Sequence, residues 1–450
     1  MRKYFLSLVA LCATFVFLSD QANAQGNNGN LFFGSVIGGV KVDAENILNS
    51  ETVELDENQR QQLQDRIAGA DRDINNDADW RVISFRGLEA VLAESVETGK
   101  ALPAEVQYMA GLQRIEVVMY DEENNDILLA GPGEGWEVTP EGLVVGSTTG
   151  QPVLQLEDFL VAMRTADNAR QGQGISVSID PTEEGARNLR RFYRQNGFTP
   201  EMKEMVEDAM GPQNITLTGV PEDSRFAQLL TIADYKMKRL SMGLDASPVA
   251  GMPSLLEILQ TNNARLSSMA PRFWMETYYE PLAVNADKTV WQIRGQGVKT
   301  LTEDGFINRQ GEAVDQGRPN KWAQQWADSM TERYEELCTV EPVFCELRNL
   351  MDMSVVAAII SREGLLQKAG MEIPMIAGTV TTPAWNAPRT VSTHCSFVRM
   401  NNSWLVTASG GVQVDSWAVA ENMEEVESTQ EILNVASERT ADRWWWNAAP

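Results

Sequence analysis

The chain has 450 residues, and its 63 acidic side chains outnumber the 37 basic ones to give a formal net charge of −26. Such an excess of negative charge repels nucleic acids and anionic membrane surfaces, so neither is expected as a partner. Apolar residues make up an ordinary 43% of the chain, which is enough for a folded protein with substantial cores.

Residues 1–24 have the three zones of a secretory signal peptide. Two basic residues, Arg2 and Lys3, precede an apolar stretch over residues 4–18, and small residues around Ala24 mark a cleavage site. The apolar stretch is shorter than the roughly 20 residues that span a bilayer, so cleavage is favoured over anchoring. We therefore expect an exported, soluble protein, periplasmic or extracellular, with no transmembrane segment after cleavage.

Residues 25–80 are predicted as a flexible or linker arm, with one helix in it and compact structure from about Arg81. Within the arm, oxygen-bearing side chains alternate over residues 71–79 (DRDINNDAD) as in a calcium loop. The loop has Asn76 where a glycine is expected and Val82 where a glutamate is expected, so a solvated acidic linker is favoured over a metal site.

Residues 81–245 are predicted as an α/β domain because helical and strand periodicities alternate along them. Segments 114–120 and 127–130 resemble strands joined by a polar turn, which predicts a hairpin. The glycine-rich run GPGEG that follows resembles a phosphate loop only superficially, and a turn between strands is favoured. Further along, Asp180 and Pro181 predict the start of a helix. This alternation favours an α/β sandwich.

A segment rich in proline, glycine and alanine at residues 246–253 predicts a boundary, and residues 250–450 are expected to form an α+β domain. A buried helix pair is predicted at its centre. The first helix has an apolar face around Trp326, and the second begins at Pro342 and is apolar nearly all round toward its end.

The last part of the sequence predicts a β-hairpin and a final helix. The hairpin would use strands 390–400 and 404–409. The helix is predicted from a capping box at Ser428 to the three tryptophans at residues 444–446. These tryptophans could contact a partner, but burial of at least two of them is favoured. The overall fold class is α+β (mixed α/β), with the sandwich followed by this second region.

Four arginines recur at helical spacing and form a positive stripe in an acidic chain: Arg187, Arg190, Arg191 and Arg194. The stripe is a candidate site for an anionic polymer or an acidic partner. The favoured alternative is that Glu183 and Glu184 pair with Arg187 while the later arginines interact with the helix C-terminal dipole.

Three cysteines remain after signal cleavage, and no two of them form a C-x-x-C pair. Cys338 and Cys345 flank a short break between two predicted helices. An oxidising compartment could join them in a disulfide, and two separate buried thiols are the alternative. No cofactor is expected.

The sequence lacks the familiar marks of an enzyme. His394 is its only histidine, which excludes metal sites with two or more histidines. It is predicted on a strand, where His394 and Cys395 would face opposite sides and could not form a nucleophile–base pair. Carboxylate pairs remain open, so a carboxylate-dependent polysaccharide hydrolase is the alternative function, with Trp274 or Trp291 as aromatic platforms.

Several motifs recur in a fixed order over residues 81–360. They are RVISFRGLE at 81–89, GLQRI at 111–115, LAGP at 129–132 followed by Trp136, IADYKMKR at 232–239, GQGVK at 295–299 and EPVF at 341–344 after Tyr334. Together they resemble the domain-of-unknown-function family 1598, exported proteins abundant in planctomycete bacteria. The resemblance implies a bacterial, exported protein and brings no activity, cofactor or catalytic residue. The first hypothesis is therefore a non-catalytic binding protein that contacts an envelope protein or an extracellular polymer.

Overall fold

The computed structural model describes residues 56–68, 72–170, 174–196, 200–262, 269–307, 313–315, 320–385, 387–396, 409–427, 439 and 443–448. The predicted signal peptide lies outside these residues, as do much of the predicted arm and of the final helix. Among the residues described, no helix is both long and apolar enough to cross a membrane.

Helices and strands alternate irregularly along the described residues, which confirms the α+β class. The helices are α1 (Glu57–Ile67), α2 (Phe85–Thr98), α3 (Ala104–Gln107), α4 (Leu156–Arg170), α5 (Glu183–Asn196), α6 (Lys203–Met210), α7 (Arg225–Ser241), α8 (Leu255–Thr261), α9 (Lys321–Glu332), α10 (Tyr334–Val340), α11 (Pro342–Arg362), α12 (Leu365–Lys368) and α13 (Ser416–Glu421). The strands are β1 (Ala78–Ser84), β2 (Val117–Asp121), β3 (Asp126–Gly133), β4 (Trp136–Val138), β5 (Val144–Gly146), β6 (Ile175–Pro181), β7 (Gln213–Thr218), β8 (Met269–Tyr278), β9 (Leu282–Val284), β10 (Val290–Gln292), β11 (Gly297–Ile307), β12 (Ala313–Asp315), β13 (Thr390–Val391), β14 (Ser409–Val414), β15 (Met423–Glu425) and β16 (Trp445–Ala448).

Two seven-stranded sheets organise the described strands. The first has the order β15-β9-β10-β2-β3-β1-β16 and the second β12-β11-β8-β14-β6-β7-β13, while β4 and β5 pair with each other. Neighbouring strands are antiparallel except in the pairs β14–β8 and β15–β9, which are parallel. Each sheet combines strands from residues 81–245 with strands from residues 250–450. The two regions predicted as domains therefore share both sheets, and residues 81–245 do not form a sandwich of their own.

Helix α11 occupies the centre of the molecule. All of its residues from 343 to 360 are buried, and it packs against α4, α7 and α13. One continuous buried cluster joins it to inward-facing side chains of both sheets, among them Val118 of the first and Phe273 of the second. Helix α9 packs mainly against β11 and buries Trp326 and Met330. The two predicted helices are therefore present and both contribute to the core, with α10 between them in the chain.

The predicted hairpin at β2 and β3 is present, and its turn has a local cause. Asp121 pairs with Asp126 across the turn, and the Asp121 carboxylate accepts a hydrogen bond of 3.1 Å from the backbone N–H of Asn124. Asn125 takes a left-handed conformation with φ of 49°, which asparagine tolerates better than most residues. The residues of the turn itself therefore determine its conformation.

The described part of the predicted arm is packed against the rest of the molecule. Helix α1 begins with a capping box in which Asp56 and Gln59 bond each other's backbone N–H groups. Ile67 is fully buried, and its carbonyl oxygen accepts a bond of 2.7 Å from the Trp136 indole nitrogen. Compact structure therefore begins well before Arg81, because Ile67 at the end of α1 is buried in the core.

Two of the three tryptophans at residues 444–446 lie in a strand, and the helix predicted there is wrong for Trp445 and Trp446. Strand β16 pairs antiparallel with β1. Trp445 and Trp446 lie on opposite faces of the sheet, and each is only 3% exposed. Large aromatic side chains suit such a pleated, buried position, so the burial expected for at least two tryptophans is confirmed.

The hairpin predicted over residues 390–409 falls largely outside the described residues. Its described ends pair elsewhere: β13 with β7, and β14 between β6 and β8. Gly410 allows this insertion, because a Cβ on it would lie 1.5 Å from the carbonyl oxygen of Phe273.

Candidate functional site

Helix α5 is positioned by its small and apolar residues. Gly185 lies against α6, where a Cβ would be 2.0 Å from the carbonyl oxygen of Met210, and Leu189 is buried one turn later. The cap differs from the prediction: β6 continues to Pro181, and Thr182 Oγ1 accepts a bond of 2.9 Å from the Gly185 N–H. With this face packed, the opposite face of α5 is presented to solvent.

That opposite face holds the four predicted arginines, which the structure brings together. Their side chains and Gln195 line a groove of about 330 Å³, called here the α5 arginine groove: Arg187, Arg190, Arg191 and Arg194. Glu183 forms an exposed ion pair of 3.4 Å with Arg187, as the favoured alternative predicted. Among the described residues, no acidic side chain lies within ion-pair distance of Arg190 or Arg191. Local pairing therefore accounts for only part of the stripe.

A second site, which the sequence analysis did not predict, lies where β1 begins and where β3 and β16 end. This acidic pocket has a volume of about 510 Å³. Its charged lining consists of three carboxylates, and its polar lining adds two hydroxyls and two amides. These residues are Asp77, Asp79 and Glu134 with Thr148, Thr149, Gln113 and Asn447.

The turn after β5 holds two of the carboxylates in place. Glu134 accepts hydrogen bonds of 2.5 Å from the Thr148 N–H and 3.1 Å from the Thr149 N–H, and another from the Thr149 hydroxyl. The Thr148 hydroxyl donates to Asp77 over 3.0 Å. Asp77 and Glu134 are therefore fixed beside each other by one threonine, although 57 residues separate them in the sequence.

Gln113 is the unusual member of the acidic pocket. Its side chain is only 6% exposed, yet neither its amide oxygen nor its amide nitrogen has a hydrogen-bond partner in the described structure. A buried amide without partners costs free energy. Both amide atoms lie beneath the surface of the pocket and are inaccessible from it.

The buried side chain of Arg81 holds the segments around the pocket together. Its guanidinium donates to the carbonyl oxygens of Asn76, Ala110 and Glu134 and to the side-chain oxygen of Asn447, at 2.6 to 2.9 Å. Burial lowers the pKa of Arg81 to about 10, so it stays protonated at neutral pH. None of these bonds goes to a carboxylate. Arg81 therefore fixes the backbone around the pocket without pairing with the lining carboxylates.

The residues of the pocket come from loops that look unrelated in the sequence. Asp77 belongs to the run that resembles a calcium loop, and Glu134 belongs to the glycine-rich turn after β3. Throughout the described residues, no group of three or more His, Cys, Asp or Glu side chains is placed to hold a metal ion. The only sequence signal for the pocket is its acidic content, which many surface loops share.

Comparison with known proteins identifies one segment of the chain. Residues 177–255 match the family model described as a protein of unknown function, DUF1598. The match covers less than a fifth of the chain. The match confirms the resemblance to this family over residues 177–255, which contain the motif IADYKMKR at 232–239. No curated protein and no solved structure matches the chain.

The DUF1598 segment runs from within β6 to the first residue of α8, and it contains the α5 arginine groove. It also contains Arg225, at the start of α7. The Arg225 guanidinium contacts the carboxylates of Asp158 on α4 and Glu346 on α11. The DUF1598 segment is thus joined to the central helix by a buried ionic contact.

The carboxylates around Arg225 titrate abnormally. Burial, opposed by the charge of Arg225, raises the pKa of Asp158 to about 6. Burial and the charge of Asp158 raise the pKa of the neighbouring Glu157 to about 7. Glu157 also accepts a bond of 2.8 Å from the Trp385 indole nitrogen. The cluster packs between helices and lines neither the α5 arginine groove nor the acidic pocket, so we interpret it as structural.

Cys338 and Cys345 are both buried and are free thiols in the described structure. Their thiols are hydrogen bonded, and this bond together with burial raises the pKa of Cys338 above its ordinary value. The Arg348 guanidinium lies 3.4 Å from the Cys345 sulfur. The two residues are neighbours, as a disulfide would require, and the disulfide itself stays a prediction.

The remaining candidate residues of the sequence are dispersed. His394 and Cys395 follow β13 and are not in a strand. Cys395 is fully buried, and burial raises its pKa to about 12. Trp274 on β8 is half-buried, with the Arg272 guanidinium 5.5 Å from its ring centre, while Trp291 is fully buried. Trp291 therefore cannot serve as an aromatic platform for a ligand.

Proposed function

We propose that the protein is exported and acts as a non-catalytic binding protein of the cell envelope or exterior, with the α5 arginine groove as the surface that contacts an anionic ligand. The observation that carries the proposal is the convergence of four guanidinium groups in one groove of a protein with a net charge of −26. The signal-peptide pattern of residues 1–24 supports export.

The composition of the groove favours a multiply charged ligand. An arginine presents a planar fork of donors that bonds carboxylate, sulfate or phosphate groups in pairs. Like charges on adjacent helical turns repel each other, and this repulsion is relieved when an anion binds between them. A polymer with repeated acidic groups can contact all four arginines at once, so a sulfated or otherwise anionic polymer is the preferred ligand, ahead of an acidic patch on a protein.

We expect the double replacement Arg190→Gln/Arg191→Gln to weaken binding to heparin, used as a sulfated polymer probe, by at least about tenfold, because two charge-assisted contacts are lost. The matched control is Arg66→Gln/Arg389→Gln, which changes the net charge equally at exposed positions away from α5. Dissociation constants measured at two salt concentrations test the expectation. Equal weakening by the two pairs would show that only net charge matters and would refute the groove.

A polysaccharide hydrolase is the second candidate, favoured by the contact of Asp77 and Glu134 with the same threonine. Neither Trp274 nor Trp291 lines that pocket. If the pocket is catalytic, the protein releases reducing ends from a neutral polysaccharide such as xylan, and Asp77→Asn lowers the rate by about 100-fold or more. Asp287→Asn, at an exposed turn position, is the control. Reducing ends released equally by the wild type and Asp77→Asn would exclude this mechanism.

A further inference from the structure

We propose that Cys338 and Cys345 close into a disulfide when the chain folds in an oxidising compartment, and that the folded protein then shields this bond from reductants. The site is a covalent modification beside the central helix and is separate from the α5 arginine groove. It rests on the proposed export only for the oxidising compartment. The contacts between α10 and α11, the burial of both sulfurs and the position of Arg348 carry the proposal.

Helix α10 folds back onto the first turns of α11. The Tyr334 hydroxyl donates a hydrogen bond of 2.8 Å to the carbonyl oxygen of Phe344, and the rings of these two residues are in edge contact with 6.0 Å between their centres. Glu335 and Arg348 form an ion pair of 2.7 Å. Contacts that do not involve the cysteines therefore fix α10 against α11.

The ion pair between Glu335 and Arg348 places the two cysteines on facing sides of these helices. Glu335 lies three residues before Cys338, and Arg348 lies three residues after Cys345. Residues three apart share a helix face, so the cysteines form the next contact between the same two faces, one turn nearer the break at Glu341. Their thiols are hydrogen bonded, so only a small rotation of the side chains separates the two sulfurs from a covalent bond.

Arg348 favours the thiolate form of Cys345. The Arg348 Nη2 atom lies 3.4 Å from the Cys345 sulfur, and the hydrogen bond from Cys338 together with this positive charge lowers the pKa of Cys345. The same nitrogen lies 3.0 Å from Gln151 Oε1. Arg348 therefore keeps Glu335 and Gln151 as partners after the thiolate has reacted.

The bond forms by thiol–disulfide exchange with an oxidant that itself contains a disulfide. The Cys345 thiolate attacks one oxidant sulfur, which gives a mixed disulfide and releases the other oxidant sulfur as a thiolate. The Cys338 thiol loses its proton to that thiolate and attacks the Cys345 sulfur. The second oxidant sulfur then leaves and takes up the proton lost earlier by Cys345. The two cysteines lose two electrons and two protons, and the oxidant disulfide becomes two thiols.

Burial determines when this exchange can occur. Cys338 is 1% exposed and Cys345 is fully buried, so an oxidant reaches them only before α10 packs against α11 or when the two helices separate locally. The same burial keeps reductants away from the bond once the chain has folded. The disulfide therefore persists when the folded protein meets a reducing solution.

Refolding tests the chemistry without export. The full chain is reduced and unfolded in urea, refolded with oxidised and reduced glutathione, unfolded again without reductant, and alkylated with iodoacetamide for peptide mass mapping. Label is expected on Cys395 and on neither Cys338 nor Cys345. Label on both members of the pair, or a disulfide between either of them and another cysteine, overturns the proposal.

The same mapping on protein recovered from an exporting bacterial host separates the disulfide from the proposed export. A disulfide between Cys338 and Cys345 in that protein supports both. If the pair is oxidised after refolding but free in the recovered protein, the result contradicts the proposed export and not the disulfide.

Stability and reduction rates give an independent measurement. Dithiothreitol is expected to raise the unfolding equilibrium constant of the oxidised wild type in urea at least about tenfold, because the reduced unfolded chain has more freedom. Cys345→Ala should show no such change. Cys395→Ala, which also removes a buried thiol, is the matched control and should keep the change. An equal response of the two variants would overturn the pairing.

The shielding has its own readout. Dithiothreitol is expected to reduce the bond in the folded protein at least about a hundredfold more slowly than in the urea-unfolded protein, because the helices must first separate. Equal rates in the two states would overturn the shielding.

Discussion

Replacement of Arg225 by methionine is expected to lower the free energy of unfolding by about 3 to 5 kcal/mol. Arg225 is the cation between Asp158 and Glu346, whose side chains are 2% and 11% exposed. Methionine fills similar space but leaves two carboxylates without a cation among packed helices. The second carboxylate oxygen of Asp158 already has no partner in the described structure, so no nearby donor can replace the guanidinium.

Urea denaturation of the variant and the wild type measures this loss. Arg389→Met is the control, since Arg389 forms an ion pair of 2.9 Å with Glu222 at a position where both side chains are mostly exposed. That pair should contribute less than about 1 kcal/mol. Adding Asp158→Asn to Arg225→Met should recover part of the loss, because one uncompensated charge is removed. Equal effects of Arg225→Met and Arg389→Met would contradict the buried ionic contact described above.

The stability of the protein is expected to fall as the pH rises from about 4 to about 7, by an amount on the order of 3 kcal/mol. Burial raises the pKa of Glu157 to about 7 and that of Asp158 to about 6. Across this interval the folded protein retains protons that the unfolded chain has already released. The stabilisation from protonation is therefore complete at the acidic end and is lost as the pH passes through the raised values. Asp234, with its pKa raised to about 6 by burial, acts in the same direction.

Urea midpoints at several pH values between those limits test this expectation. Glu157→Gln mimics the protonated side chain and retains an acceptor for Trp385, so it should stabilise the protein near neutral pH and have little effect near pH 4. Glu123→Gln, at an exposed turn position, should leave the slope unchanged. A wild-type stability that rises over this interval would show that the raised pKa values of the cluster do not govern folding.

The sequence predicts those parts of the fold that are determined by residues close together in the chain. The turn between β2 and β3 follows from Asp121 and Asn125, and the burial of α11 follows from its apolar periodicity. The strand at Trp445 and Trp446 has no such signal, because three adjacent tryptophans suit a helix end or a strand equally well. Only the partner strand β1, hundreds of residues earlier, decides between them.

The candidate sites follow the same rule. The α5 arginine groove lies on one helix, so its spacing is visible in the sequence. The acidic pocket combines Asp77, Gln113, Glu134 and Asn447 from four separate segments. A single sequence does not show that these segments are adjacent in the fold. An acidic loop of the pocket therefore looks like any solvent-exposed acidic loop.

The position of β14 also determines when the second sheet can form during folding. This strand lies inside the second sheet, between β6 and β8, and β16 pairs with β1 at the edge of the first. The second sheet cannot close until residues 409–414 have been synthesised, and the first cannot close until residues 445–448 have followed. A nascent chain of this topology stays open for most of its synthesis, and pairings between distant segments form slowly. If the protein is exported as proposed above, this late closure would keep the chain unfolded for passage through a secretion channel.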